Sequence, residues 1–253
     1  AANAGIVEIR PGLKMDDGPL DSVLATALDP LLDFSGDPEK TRAFLEELGV
    51  SGGLPKLRGK DLSRLSTALV LKVLLQGSFA ADSVVGETIR LKKEVVENAF
   101  EFMWILNSCG KMEETGLALT LCMRDTAFLP QCRKINQDYK ARTLSEVRLV
   151  QEKLQETEKI RYVLLDDMDA AGVVSGLCVR YLYTDKPMIV LNRVEDMIKI
   201  SARGNRLLVF NGLDLSVALK EGAQKVGGNG GGHSVASGAS IPLGTEEEFI
   251  KHV

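Results

Sequence analysis

The chain has 253 residues, of which 45% are apolar and 26% charged, and its formal net charge is −4. These values are typical of a globular protein with one large or two small domains, and they exclude wholesale disorder. The acidic balance also excludes a generally basic surface, so any nucleic-acid-binding surface has to be a local patch.

Neither a membrane-spanning run nor a signal peptide is evident in the sequence. The four cysteines are Cys109, Cys122, Cys132 and Cys178, and no pair has the C-x-x-C spacing of a metal or redox motif. They are therefore predicted to be reduced cysteines in the core of a cytoplasmic protein.

The first 130 residues are predicted to be mostly helical. "GDPEKTRAFLEELGV" has Asp37 as N-cap, Pro38 at the first helical position and Gly49 at the end. Helices are also predicted from Pro19, from Asp61 to Gly77, up to about Gly110, and as one long polar helix over residues 130–159. Gly116 to Met123 is apolar but ambiguous.

After Lys159 strands and helices alternate. "RYVLLDD", "KPMIVLNRV", "MIKISAR", "RLLVFNGL" and "HSVASGASIP" are predicted strands. Helices are predicted in "DAAGVVSGLCVRYLY", after the N-cap Asp214 and in "EEEFIKHV". The pattern indicates an α/β fold in which a mostly helical region, residues 1–157, precedes an α/β sheet domain, residues 158–253.

Two interpretations of the strand "KPMIVLNRV" remain open. Pro187 is tolerated at a sheet edge, and Met188, Val190 and Arg193 would then project toward solvent. Alternatively, the apolar run is a buried central strand.

The glycine-rich stretch "KVGGNGGGHSVASGASIP", from Lys225 to Pro242, has one of the two histidines of the chain in its middle. Consecutive glycines can take positive φ and direct backbone N–H groups into one concavity, which binds anions such as phosphate. His233 would add a donor. The alternative is a crowded helix-to-strand turn that needs glycine for conformation alone.

The stretch "LLDDMDAAG" contains Asp166, Asp167 and Asp169 directly after a predicted strand. Their spacing would suit a hard cation, which prefers oxygen ligands. Since no second carboxylate cluster accompanies them, an N-cap role for Asp167 or Asp169 is the favoured interpretation.

"IKISARG" and "GGNGGGHSVASGASIP" together resemble the DHHA1 domain of the DHH phosphoesterase superfamily, which includes the exonuclease RecJ. In that superfamily the S-x-R strand and the G-G-G-H loop line a cleft that holds nucleic-acid phosphate. The resemblance implies that the phosphate-binding residues are Ser201, Arg203, Gly230, Gly231, Gly232 and His233.

Other segments resemble the middle of archaeal RecJ-like proteins, a family that includes the GINS-associated nuclease and archaeal counterparts of Cdc45. They are "EIRPGL", "ALDPLLDFSGD", "FLEELGV" and "ILNSCGKMEETGLALTLC". Enzymes of the superfamily bind two divalent metal ions through H-x-D-x-D-G and D-H-H motifs, whereas this chain has no D-H-H and only two histidines, His233 and His252. We therefore expect no catalytic residues, no metal and no cofactor.

The resemblance implies a non-catalytic, Cdc45-like replication factor. Such a protein would bind GINS through its DHHA1 lobe, reach the MCM helicase through GINS, and bind single-stranded DNA only weakly. The alternative is a C-terminal fragment of a Mn-dependent, single-strand-specific, RecJ-like exonuclease whose DHH lobe is absent from this chain, which begins at Ala1 rather than Met. A relative of the alanyl-tRNA editing proteins is disfavoured by the helical half and the lack of zinc-ligand histidines.

Overall fold

The computed structural model describes residues 5–253, and the chain forms two compact units. Unit 1 extends to Leu144, and unit 2 comprises Ser145–Val253. The boundary between the units lies inside a long helix. The start of alternating strands and helices in the sequence instead places the domain boundary at residue 158. No helix among the described residues has both the length and the apolar character needed to cross a bilayer.

The helices of unit 1 begin and end largely where capping residues occur in the sequence. Asp37 accepts a hydrogen bond from the backbone of the first turn of its helix, and Gly49 ends that helix with φ of 62°. Asn98 caps a later helix in the same way. Caps of this kind satisfy the backbone groups that lack a partner within the helix. The predicted cap Asp61 is wrong by three residues, because Arg58 is at the cap position and the helix begins at Gly59, which places Asp61 in the first turn.

The helix bounds are Leu20–Ala25 (α1), Pro38–Leu48 (α2), Gly59–Leu75 (α3), Ala99–Lys111 (α4), Thr115–Cys122 (α5) and Leu129–Lys153 (α6). The ambiguous stretch from Gly116 is thus a helix. The long polar helix exists, but α6 ends at Lys153 because the chain then pairs as a strand rather than continuing to Lys159.

Unit 1 also contains a two-stranded antiparallel sheet that the sequence analysis did not predict. Strand β1 (Val7–Leu13) pairs with β2 (Val85–Leu91) over their whole lengths. One face of this sheet carries Glu8 and Arg10 on β1 opposite Arg90 and Thr88 on β2. No hairpin turn joins the strands, so no local turn signal could reveal the pair.

Three of the four cysteines are core residues, as predicted. Cys109 and Cys132 belong to one apolar cluster of unit 1, and Cys178 is buried in unit 2. Burial raises the pKa of both Cys109 and Cys178 to about 12, so these thiols stay protonated and unreactive. The prediction is wrong for Cys122, which is exposed at the end of α5.

Unit 2 is built on a six-stranded mixed sheet with the strand order β3-β4-β5-β6-β8-β7. Only β4 and β5 are parallel, and all other neighbours are antiparallel. The strands are Gln155–Glu156 (β3), Arg161–Asp166 (β4), Met188–Val194 (β5), Met197–Arg203 (β6), Asn229–His233 (β7) and Ala236–Pro242 (β8). The predicted fold class, a mostly helical region followed by an α/β sheet domain, is confirmed.

Four helices accompany this sheet: Ala171–Leu177 (α7), Arg206–Phe210 (α8), Leu215–Lys225 (α9) and Glu246–His252 (α10). A π-helical turn, Cys178–Leu182, extends α7. The main apolar core lies between one sheet face and α9 and α10, where Ile200 and Ile241 meet Leu219 and Phe249. Asp214 caps α9 as predicted, with its carboxylate accepting hydrogen bonds from the backbone of the first turn.

Two sequence predictions for unit 2 need correction. "RLLVFNGL" forms the short helix α8 and not a strand, because the Asn205 side chain caps it by accepting a hydrogen bond from the Leu208 N–H. The glycine run is not a loop but the edge strand β7. Of the two interpretations of strand β5, the buried central strand is confirmed, and both Met188 and Val190 are fully buried.

Candidate functional site

The residues implied by the family resemblance come together on three neighbouring strands. On β6, β8 and β7, Ser201, Gly238 and Gly231 lie opposite one another in one row. Arg203, Ala236 and His233 form the next row. Residues directly opposite in antiparallel strands share a sheet face, so the residues of these two rows lie on one face, the face opposite the main apolar core. Gly230 and Gly232 alternate with them along β7 and lie on the other face.

Between these flanking side chains the sheet has almost no side-chain bulk. We call Gly231, Ala236 and Gly238 the glycine shelf, with Ser201 and Arg203 along one side and His233 at the other. Because neighbouring strands are about 4.8 Å apart, the backbones at Arg203 and His233 are separated by about 10 Å. His233 is exposed, and its carbonyl accepts a hydrogen bond of 2.8 Å from the Ser237 hydroxyl. The three shelf residues are each partly exposed, and donors flank them.

Helix α7 passes directly over the Arg203 guanidinium. A methyl group built on Gly172 of this helix would lie only 2.9 Å from Arg203 Nη2 and 3.8 Å from the Ser201 hydroxyl. Glycine at this position lets the helix backbone approach the arginine closely. Burial beneath α7 in turn lowers the pKa of Arg203, because the charged form is partly removed from water.

Arg203 has no carboxylate partner within the part of the chain that the structure describes. Its Nη1 donates a hydrogen bond of 2.9 Å to the Ala202 carbonyl, and no Asp or Glu within residues 5–253 lies at ion-pair distance from it. A half-buried guanidinium without a counter-ion carries a desolvation penalty that an incoming anion would offset. This charge beside the glycine shelf is the chemically distinctive feature of unit 2.

The glycines of β7 differ in what they contact. A methyl group on Gly230 would lie 2.7 Å from the Leu219 carbonyl of α9, and one on Gly232 would lie 2.7 Å from the Ala236 carbonyl. Gly231, between them, faces open space. The two interpretations of the glycine run therefore apply to different residues: Gly230 and Gly232 permit close packing, while Gly231 leaves the shelf bare.

The acidic stretch after β4 does not form the predicted helix cap. Helix α7 begins with Ala170 at the cap position and without a side-chain cap, and Asp167 has φ of 50°. Asp166 instead pairs with Arg193 at 3.4 Å, both side chains being largely exposed. Among the described residues, no three His, Cys, Asp or Glu side chains converge in a way that could hold a metal ion.

Sequence reasoning missed a residue that positions α7. Asn192 is buried on β5, where its amide accepts a hydrogen bond from the Met168 N–H and donates one to the Met168 carbonyl, both of 2.8 Å. These bonds hold the turn that connects β4 to α7, and α7 covers Arg203. The sequence did offer a signal, because an asparagine directly after the apolar run "PMIVL" is expected to be buried. A buried amide needs specific hydrogen-bond partners.

Comparison with known proteins first defines the class of unit 2. Residues 163–253 match the family model of the DHHA1 domain, so this part of the chain is a DHHA1 domain. The match includes β6, β7 and β8, and hence every residue of the shelf and its flanks. This match supports an assignment of residues 163–253 to the DHH–DHHA1 superfamily.

Three individual proteins give a more specific comparison. An uncharacterized protein of Methanocaldococcus jannaschii is 31% identical over 214 residues, which cover 85% of this chain and 46% of that protein. CDC45 from Entamoeba histolytica has a similar fold, with a TM-score of 0.54 at 12% identity over 90% of this chain and 54% of that chain. RecJ from Thermus thermophilus gives a TM-score of 0.47 at 17% identity over 59% of this chain and 23% of that chain.

The TM-score for RecJ is too low to establish a common fold. The chain spans about half the length of the M. jannaschii and E. histolytica proteins that it matches. The DHHA1 domain and the CDC45-like fold are therefore the properties that these comparisons establish.

Proposed function

We propose that this chain is a non-catalytic, Cdc45- and RecJ-like replication factor. Its DHHA1 domain binds a phosphate of single-stranded nucleic acid on the glycine shelf, and the protein acts through association with GINS and thereby with the MCM helicase. The DHHA1 match and the similarity in fold to CDC45 support the general class. The resemblance of the sequence motifs supports the finer assignment.

The observation that carries the binding proposal is the state of Arg203. Its guanidinium is half-buried, has no carboxylate partner among the described residues, and borders a shelf on which Gly231 and Gly238 leave the backbone accessible. A phosphate on the shelf would accept charge-assisted hydrogen bonds from Arg203, and the sugar-phosphate backbone would meet no side chain there.

The binding proposal is tested by fluorescence anisotropy with labelled single-stranded DNA. Arg203→Gln removes the unpaired charge, so we expect binding to weaken by about tenfold or more. The matched control is Arg193→Gln in the same unit. Arg193 faces the opposite side of the sheet and is paired with Asp166 at 3.4 Å and Glu246 at 3.6 Å. Equal affinities for the wild type and Arg203→Gln would contradict binding on the shelf.

The GINS proposal rests on the family resemblance, and the structure changes where its contact can lie. Strand β5 was the candidate contact, but Met188 and Val190 are fully buried in the centre of the sheet. Substitution there would damage the core and would not report on docking. We therefore propose that GINS contacts another part of the DHHA1 domain surface.

We expect the full chain, used as bait, to retain purified GINS, with an unrelated acidic protein of similar size as the control bait. Retention by the Arg203→Gln variant should match that of the wild type, since the shelf binds nucleic acid in this proposal. Failure of the wild type to retain GINS would reject the replication-factor assignment and leave the nucleic-acid proposal standing.

A second candidate function is supported by the length comparison. Because the chain corresponds to 46% of the M. jannaschii protein, it matches one part of a longer relative. In this alternative the same shelf holds the substrate of a Mn-dependent, single-strand-specific exonuclease whose DHH lobe lies outside this sequence. Purifying the natural full-length protein and assaying it with Mn²⁺ and single-stranded DNA separates the two candidates.

A further inference from the structure

Unit 1 contains a polar cavity that the proposed function does not use. It has a volume of about 130 Å³, and its charged lining residues are Arg10, Arg58, Arg90 and Asp17. We propose that this cavity binds a single phosphate-sized oxyanion. It lies in the two-stranded sheet region that contains the "EIRPGL" segment, and it is separate from the glycine shelf of unit 2.

One face of the two-stranded sheet contributes two arginines to this cavity. Arg10 on β1 lies opposite Thr88 on β2, and Arg90 lies two residues further along β2 on the same face; all three residues line the cavity. The exposed fraction of the Arg10 side chain is 41% and that of Arg90 is 14%, so Arg10 is the more accessible of the two to an incoming anion.

One of the three arginines is already neutralised. Arg90 makes a two-point contact with the carboxylate of Asp17, which also accepts a hydrogen bond of 3.0 Å from the Asn98 side chain. The carboxylate on the cavity wall is thus occupied by donors and does not present a free negative charge to an incoming anion.

The other two arginines retain free donors. The nearest acidic partner of Arg10 is Glu8 at 3.8 Å, and Glu8 is also paired with Lys92. Arg58 uses only Nη1, which donates to the carbonyls of Pro55 and Leu57 at 2.8 and 2.6 Å. These two bonds hold the Arg58 side chain in place and leave its other N–H groups available.

The position of the donors favours a tetrahedral oxyanion. Arg10 lies on β1 and Arg58 directly precedes α3, so the two arginines line the cavity from separate elements. A cavity of about 130 Å³ has room for about four water molecules at the volume that each occupies in the liquid. That space suits one phosphate group, whose oxygens point in several directions, better than a planar carboxylate.

The test is a titration of the full chain with inorganic phosphate, followed by amide NMR and calorimetry. It is performed in an Arg203→Gln background so that the glycine shelf does not contribute. We expect shifts at the amides of Gly12, Arg58 and Thr88, and no comparable shifts on addition of acetate. Substitution of Arg10→Gln or Arg58→Gln should weaken phosphate binding by about tenfold.

The matched control is Arg64→Gln, since Arg64 is also exposed and donates to a backbone carbonyl, that of Leu48 at 3.0 Å, but does not line the cavity. A thermal melt of each variant checks folding, and the wild-type amide shifts give a second readout that needs no substitution. Phosphate shifts confined to the shelf of the wild-type protein would overturn this inference and leave the proposed function intact. Unchanged affinity in both folded cavity variants would also overturn it.

Discussion

On strands β7 and β8, some glycines are required for close packing, whereas others border the proposed binding surface. Gly230 is constrained by the backbone of α9, whereas Gly238 belongs to the shelf and has only the Ile200 carbonyl, at 3.2 Å, near a methyl group built on it. Arg203 shows the same distinction for charge, because its guanidinium is half-buried without a carboxylate partner among the described residues. The proposed binding role and the packing role thus fall on neighbouring positions of one small surface.

Gly230→Ala is expected to destabilise the protein by about 1–3 kcal/mol, because the new methyl would collide with the Leu219 carbonyl, 2.7 Å away, and β7 would have to shift from α9. Gly238→Ala should cost less than about 1 kcal/mol, since its neighbour needs to move only slightly. Urea unfolding of both variants measures the difference. Equal losses would show that the close approach of β7 to α9 is not what requires glycine.

At the scale of elements, agreement with the sequence depends on whether the determining signal is local. The ends of α2 and α9 were predictable because Asp37 and Asp214 are N-caps that act within one helical turn. Helix α8 was mistaken for a strand because "RLLVF" has a strand-like composition, and its cap, Asn205, decides the outcome. Strand β7 was mistaken for a loop because glycine has low strand propensity, and its pairing with β8 overrides that preference.

The candidate site could likewise be predicted only where the signal in the sequence is local. The S-x-R and G-G-G-H segments could be recognised and numbered from the sequence. The strand register that sets Arg203 and His233 in one row, and the burial of Arg203 under α7, depend on contacts between distant segments. The position of Asn192 at the β4–α7 turn depends on them too.

The N-cap of α9, Asp214, should make the free energy of unfolding depend on pH. Hydrogen bonds from the Ser216 side chain and from backbone N–H groups to the Asp214 carboxylate lower its pKa. The ionised form therefore stabilises the fold above the ordinary pKa of aspartate, and this contribution is lost as the pH falls through the lowered pKa. Asp214→Asn keeps a capping oxygen but does not titrate, so it should lose less stability than the wild type between pH 7 and pH 3.

Urea unfolding at several pH values measures that difference. The control is Asp196→Asn, a substitution in the exposed turn between β5 and β6. If Asp214→Asn and the wild type lose stability in parallel over the acid range, the carboxylate of the cap does not contribute to the pH dependence.

At the scale of the whole molecule, each of the two units contains a site that we propose to bind an anion. The described residues contain no cluster of three metal-binding side chains, and the sequence contains two histidines. A two-metal nuclease needs several carboxylates and histidines around its ions.

Incubation of the purified chain with Mn²⁺ and single-stranded DNA or RNA should therefore give no cleavage. Asp166→Ala and Asp169→Ala serve as controls for a hidden site, because these residues belong to the acidic stretch after β4. Cleavage that persists through repurification and disappears in either variant would contradict the non-catalytic assignment.

The pairing of β1 with β2 has a consequence for the order of events during synthesis. Val85, at the near end of β2, lies 72 residues after its partner Leu13, so the sheet closes a very long loop. Loop-closure entropy for this length is about 4 kcal/mol from (3/2)RT ln n alone, before any pairing energy is gained. On the ribosome, β1 must wait until the segment through Leu91 has emerged. Helices α1 to α3 can form earlier, and the sheet becomes a late step in the maturation of unit 1.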